Sequence, residues 1–312
     1  MLALKKLRDL DLAVPPQAGR AAHLSAASGL VRTNTLLYVV ADDELSLGVF
    51  DPGESKPGDL IRLLPGELPL GPAERKDAKP DFESMLKLPP FPGFDHGALF
   101  ALGSGSKKKK RHLGVVIGLD GEGAVQGAPA PFDLAEMYRP LREKFARLNI
   151  EGAVIFSDEL RLFQRGNKKD RTNAIVRCKL RPVLEAIGLG RGIPPVEILA
   201  IVPVELTEID GLPLTFTDAA VTDDGSMVFS AAAEDTEDTY NDGPCTGSAV
   251  GIVGPQGDLI FLEQVDAKVK LEGIAVIHKD EAIDVLLVSD ADDANVAASL
   301  LTTRIMLDKF SR

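Results

Sequence analysis

The chain has no tryptophan, two cysteines and four histidines, and aromatic residues make up only 5% of its 312 residues. Cys178 and Cys245 lack the close spacing of a metal or redox pair, and with the scattered histidines they make no zinc signature. Both read as buried thiols of a reducing compartment. The shortage of aromatics argues against a carbohydrate-stacking surface. Basic charge is also short: 35 Lys and Arg stand against 47 Asp and Glu, giving a net charge of -12. A nucleic-acid backbone would be repelled, so no nucleic-acid partner is expected. Long apolar runs are missing as well. LFALG at 99–103 falls far short of the roughly 20 residues that span a bilayer. Charges at Lys5, Lys6, Arg8, Asp9 and Asp11 interrupt the apolar core a signal peptide would need. A cytoplasmic location and no membrane contact are the expectations.

Common catalytic signals are lacking too. GSGS at 103–106 has no lysine and hydroxyl ending of a phosphate loop, and GLGRG at 188–192 does not lead from a strand into a new helix. Both read as turns. What the chain does have is 45% hydrophobic and 26% charged residues, enough apolar material for a sizeable core in one domain spanning 1–312.

It also has a repeat. An acidic residue, a small residue and an apolar run recur five times, beginning at Ser28, Glu83, Glu151, Asp218 and Glu272, with serine replacing the acid in the first copy. The anchors are 55, 68, 67 and 54 residues apart, and the circuit from Glu272 through the C-terminus round to Ser28 spans 68. A period that closes on itself fits a ring; an open solenoid gives no reason for it. Three further β-type runs follow each of the first four anchors, for instance TLLYVVA, LSLGVF and DLIRLL after Ser28. The last repeat runs out of chain, and residues 3–12 are the natural source of its missing outer strand. The spacing predicts an all-β, five-bladed β-propeller of four-stranded antiparallel blades, with six blades as the competing count. Apolar residues at helical spacing predict two helices, near Phe132–Leu148 with Leu134, Met137, Leu141 and Phe145 on the buried face, and near Arg181–Leu189.

In such a ring the anchors surround one mouth of the central channel, together with the turns at 41–45, 103–111, 164–172, 233–246 and 289–296. Glu83, Glu151, Asp218 and Glu272 would repel one another there unless a cation, a basic partner or backbone amides compensated them. Calcium suits oxygen-only ligands and is the candidate metal; amides of the next blade are the structural alternative. The turns divide by charge. Lys107 to Lys110, Arg111, Lys168, Lys169 and Arg171 are basic, whereas Glu234, Asp235, Glu237, Asp238, Asp242, Asp290, Asp292 and Asp293 are acidic. Arg20, Lys79 and Lys270 lie close in sequence to the anchors and are the candidates for holding a small anionic ligand. His23 and His112 belong on the carboxylate face, where a histidine beside an acid serves as a general base. His96 and His278 belong on the opposite face.

The stretches NIEGAVIFSDELRLFQRGN, 149–167, and KLEGIAVI, 270–277, resemble the inner strands of the esterase-like and phytase-like bacterial propellers, and are similar to gluconolactonase-like ones. The resemblance implies a central site, often with calcium, that hydrolyses esters, lactones or phosphates in some relatives. Carried onto this chain, it implies Glu83, Glu151, Asp218 and Glu272 as metal ligands; a hydrolase built on them would use Glu151 and Glu272 together with His23, chosen for its place five residues before Ser28, as the catalytic set. Ser28 departs from the acidic pattern. Two readings follow: a module binding a ligand or protein partner through the charged face, and a calcium-dependent hydrolase. The sequence sets no oligomeric state.

Overall fold

Short runs of Val, Ile, Leu and Phe bounded by turn residues suit the half-buried pleat of a strand, and the chain forms one after another of them. The computed structural model describes residues 1–167, 170–235 and 243–307. Its strands group into five antiparallel sheets. A first strand, β1 (Lys5–Asp9), precedes blade 1, which consists of β2 (Ala27–Arg32), β3 (Leu37–Ala41), β4 (Ser46–Phe50) and β5 (Asp59–Arg62). Helix α1 (Pro72–Ala78) leads to blade 2: β6 (Phe82–Leu88), β7 (Ala98–Gly103), β8 (Leu113–Leu119) and β9 (Val125–Asp133). After α2 (Ala135–Lys144), blade 3 has β10 (Ile150–Phe156), β11 (Glu159–Gln164), β12 (Ala174–Lys179), α3 (Arg181–Gly188) and β13 (Ile198–Pro203). Blade 4 opens with the two-residue strand β14 (Glu208–Ile209), then β15 (Leu212–Val221), β16 (Met227–Glu234), β17 (Cys245–Val253) and β18 (Leu259–Gln264). Blade 5 has β19 (Lys270–Lys279), β20 (Ala282–Asp290) and β21 (Ser299–Met306).

The fourth strand of blade 5 is β1, which pairs antiparallel with β21 from Lys5 opposite Thr302 to Asp9 opposite Ser299. The N-terminal segment therefore closes the ring, within the residues that the sequence assigns to it. Neighbouring inner strands touch in the order β2, β6, β10, β15, β19 and back to β2. The blades number five, which removes the six-bladed alternative.

The core lies between blades. Leu10, Leu24, Leu30 and Phe50 pack with Ala275, Leu286 and Leu300 across the seam of blades 5 and 1. Leu134, Met137, Leu141 and Phe145 of the α2 region are buried in the cluster shared by blades 2 and 3. This helix covers the gap as its periodicity predicts. Helix α1 is short and polar and carries no apolar periodicity by which to see it.

One irregularity recurs in all five inner strands. The pairing with the second strand slips between Ala27 and Gly29, Phe82 and Ser84, Ile150 and Gly152, Phe216 and Asp218, and Leu271 and Ile274. The slip falls at or beside each anchor residue. The small residue that follows the anchor has a separate cause. A Cβ on Gly29 would lie 2.8 Å from the Met85 amide nitrogen of blade 2, and one on Gly273 would lie 2.8 Å from that of Leu30. Inner strands approach that closely only without a side chain there.

Candidate functional site

A bulge leaves a residue outside the ladder and re-aims its side chain. Here it leaves Glu83, Glu151 and Glu272 out of the ladder, whereas in blade 4 Thr217 is the residue left out and Asp218 stays paired with Ser230; all four carboxyls lie at the same end of the channel, the upper mouth, where they sense one another. Burial, with repulsion from Glu151 and Asp81, pushes the Glu83 carboxyl well above the usual carboxylate range, against the pull of Lys79 and Lys270. Burial likewise raises Glu272 well above that range, opposed by Lys270 and Arg165 and reinforced by Glu151 and Glu234. Glu151 is raised by burial while Arg165 and Lys270 pull it back. Asp218 is also well above its ordinary value through burial, although the amides of Ile274, Ala219 and Leu30 work against the rise. Ser28 takes no part: its hydroxyl donates to the Ala26 carbonyl at 3.2 Å.

Four cations stand among these acids. Lys79 pairs with Asp42 and, at 3.2 Å, with Asp81. Arg111 lies 3.1 Å from Asp81. Arg165 joins Glu151 at 3.2 Å to Glu234, and Lys270 lies 3.2 Å from both Glu234 and Glu272 and 3.3 to 3.4 Å from Asp292 and Asp290. All four are more than nine-tenths buried. The carboxylates still outnumber them. Buried oxygens without a hydrogen bond include Asp81 Oδ1, Glu234 Oε1 and Glu272 Oε2.

A cleft of about 200 Å³ opens beside the mouth, between blades 1 and 5. Arg20, Asp42 and Lys79 line one side, and Asp290, Asp292 and Asp293 the other. Arg20 is committed to Asp43 at 3.0 Å and Glu44 at 3.1 Å, while Arg75 of α1 holds the same two acids at 2.9 and 2.8 Å. Among the described residues, one group of three carboxylates has ligand atoms all within 4.8 Å of one another: Asp42, Asp81 and Glu83.

The residues singled out from sequence thus fall into two sets. Glu83, Glu151, Asp218 and Glu272 converge on the axis, but of these only Glu83 belongs to the three-carboxylate group; Asp218 is satisfied by the amides of Ala219 at 2.8 Å and Ile274 at 3.0 Å. Lys79 and Lys270 lie among the acids as internal counter-ions. The backbone of His23 bridges that of Asp11, and its side-chain Nε2 lies 3.2 Å from the Ala294 carbonyl, away from Glu151 and Glu272. His112 pairs with Asp133 at 2.8 Å, on the outer side of blade 2. Glu234 and Arg111, read from sequence as rim charges, are buried members of the axial network because each ends or follows a strand that points at the mouth. Lys168, Lys169, Glu237, Asp238 and Asp242 lie outside the described residues. Asp42 and Arg165 fall in the turns at 41–45 and 164–172 but were not singled out, and Asp81 was not foreseen. Each directly borders an apolar strand, yet Asp42 and Asp81 are 39 positions apart, and only ring geometry brings them together.

A five-bladed β-propeller with an ion-paired, carboxylate-rich axial mouth is the class that fold and site define. The chain belongs to the family described as "Family of unknown function (DUF6929)", which matches residues 23–305. No curated protein sequence matches. Solved structures similar to it include a luciferin-regenerating enzyme, with 10% identity, TM-score 0.45, and 97% of this chain and 95% of that one covered. A gluconolactonase-like protein has 11% identity, TM-score 0.41 and coverage of 97% and 98%. The α-L-arabinofuranosidase Arb93A from Fusarium graminearum has 8% identity, TM-score 0.45 and coverage of 98% and 99%. None of these activities carries over to this chain at such identities. No helix among the described residues is long and apolar enough to cross a membrane.

Proposed function

We propose that the protein is a ligand-binding propeller that takes a cation at the upper mouth where blades 1 and 2 meet, with calcium as the best-fitting ion on Asp42, Asp81 and Glu83, of which Asp42 also borders the cleft between blades 1 and 5. The observation that carries this reading is the approach of those three carboxylates to within 4.8 Å. Their donors are oxygen only, which suits a hard divalent ion. Asp81 Oδ1 is buried without a hydrogen bond, although Lys79 and Arg111 lie near it. The Lys79 ammonium already places one positive charge against Asp42 and Asp81, the position a bound cation would take over. Calcium takes six to eight oxygens. Three carboxylates supply part of that set, and the cleft leaves room for a bound ligand to supply more.

An anionic ligand has less support, since Arg20, Lys79 and Lys270 are all held by acids. Hydrolysis has less support too, because His23 keeps company with Asp11 and Ala294 at the rim.

Calorimetric titration of metal-stripped protein with calcium tests the reading. Saturable binding is expected, with thermal stabilisation worth about 2.7 kcal/mol at a hundredfold excess over Kd. Asp42→Asn and Glu83→Gln should each abolish it, whereas Asp293→Asn should leave it nearly intact. Absence of saturable binding by calcium, magnesium or manganese at millimolar concentration overturns the reading.

A further inference from the structure

The lower half of the channel has a different chemistry from the upper. Residues 30–32, 85–87, 153–155, 219–221 and 274–276, three from each inner strand, line a funnel of about 190 Å³. Apart from Arg32 and Lys87, every one of these side chains is aliphatic or methionine, and none is acidic. Leu30, Met85 and Ile274 are nearly sealed, while Ile155, Val221 and Val276 nearer the opening are only partly buried. The pit is therefore apolar in depth and open at its end.

Arg32 ends β2 and Lys87 stands one residue before the end of β6, on adjacent inner strands. Neither side chain makes a hydrogen bond or ion pair with any described residue. This is unusual for the channel: at the upper mouth Lys79, Arg111, Arg165 and Lys270 are all held by carboxylates. In a chain with twelve more acids than bases, two neighbouring cations without counter-ions above an apolar pit are complementary to a molecule with an anionic head and an aliphatic tail.

We propose that the lower funnel binds a small amphipathic carboxylate, its tail in the channel and its head between Arg32 and Lys87. An apolar cavity of about 150 Å³ holds benzene, so the funnel takes a tail of roughly six to eight carbons. This site is separate from the cation site at the upper mouth, and either stands without the other.

A chain-length series of straight-chain carboxylates, titrated calorimetrically into the full chain, tests the proposal. Affinity should rise about fourfold per methylene from butyrate to octanoate and level off once the tail outgrows the funnel. Arg32→Gln and Lys87→Gln, combined, should weaken octanoate about tenfold while leaving 1-octanol within twofold. Ala220→Leu, which narrows the funnel, should weaken both; a thermal melt matching the parent confirms that its fold is intact. The proposal fails if octanoate does not bind, if it binds no better than octanol, or if the double variant leaves its affinity unchanged. Calcium affinity at the upper mouth should not change in the double variant, which separates failure of this site from failure of the other.

Discussion

The carboxylate of Asp218, in blade 4, accepts a 3.0 Å hydrogen bond from the backbone amide of Ile274, in blade 5. It also accepts one from its neighbour Ala219 at 2.8 Å and feels the Leu30 amide of blade 1, so one side chain ties three inner strands together across the axis. Asp218→Ala would leave those buried amides unpaired at about 1 to 3 kcal/mol for each lost acceptor. Asp218→Asn keeps one carbonyl acceptor and should cost less. Denaturant titration of both variants, with alanine the lower of the two, checks this bracing role.

Arg165 holds Glu151 and Glu234 on either side of the blade 3 and blade 4 boundary. Arg165→Met removes the charge but keeps much of the volume, leaving two buried carboxylates facing each other. A loss of about 3 to 5 kcal/mol is expected. Adding Glu234→Gln to Arg165→Met should recover part of it, and a double-mutant cycle in chemical unfolding measures how much.

Stability should fall as the pH rises. Glu83, Asp218 and Glu272 bind their protons more tightly in the folded ring than in the unfolded chain, since burial raises all three. Their contribution is fully present below the unfolded carboxylate pKa of about 4 and is lost as pH climbs through the raised folded values. Glu159, held by Arg177 and Arg161, and Asp224 are shifted down and act in the opposite sense; Asp224 is exposed, where such effects are screened, whereas Glu159 is buried and offsets part of the trend. The protein should therefore melt higher at pH 5.5 than at pH 8, by up to about 1.4 kcal/mol per pH unit for each proton involved. Glu272→Gln should flatten the slope. A melting series across that range decides it, and a rise toward alkaline pH would contradict the buried-acid account.

Gly29→Ala and Gly273→Ala should each destabilise by about 1 to 3 kcal/mol, because the new methyl meets backbone nitrogen of the adjoining inner strand at 2.8 Å. Gly192→Ala, where nothing lies within 4 Å of the added carbon, should change stability by less than about 0.5 kcal/mol. The comparison is read from thermal melts of the three variants.

The ring was legible in the sequence because every blade reuses one inner-strand signature and the count of residues closes around the termini. The strands near Leu37, Ala98 and Met227 show it in their apolar runs, and the buried face of α2 in its helical spacing. The acids at Glu83, Glu151, Asp218 and Glu272 could be placed at one mouth by the same logic. Their partners could not. Arg165 and Glu234 are 69 residues apart, Lys79 and Asp42 are 37 apart, and neither pair shares a motif. Such contacts are set by the curvature of the closed ring, which no local pattern encodes. Helix α1 was hidden for another reason: PAERKDA is too polar to show a buried stripe, and only Arg75 is inserted, toward Asp43 and Glu44.

The pairing of Lys5 with Thr302 and Asp9 with Ser299 has a consequence for how the molecule comes into being. The two strands are almost 300 positions apart, so this pair forms only after the blades between them have been made. Contacts between chain segments this remote form slowly, and an unpaired outer edge on β21 invites adhesion to other chains until the latch engages. The pairing that completes blade 5 thus adjoins the seam of blades 5 and 1, which also bears the cleft with Arg20 and Asp290.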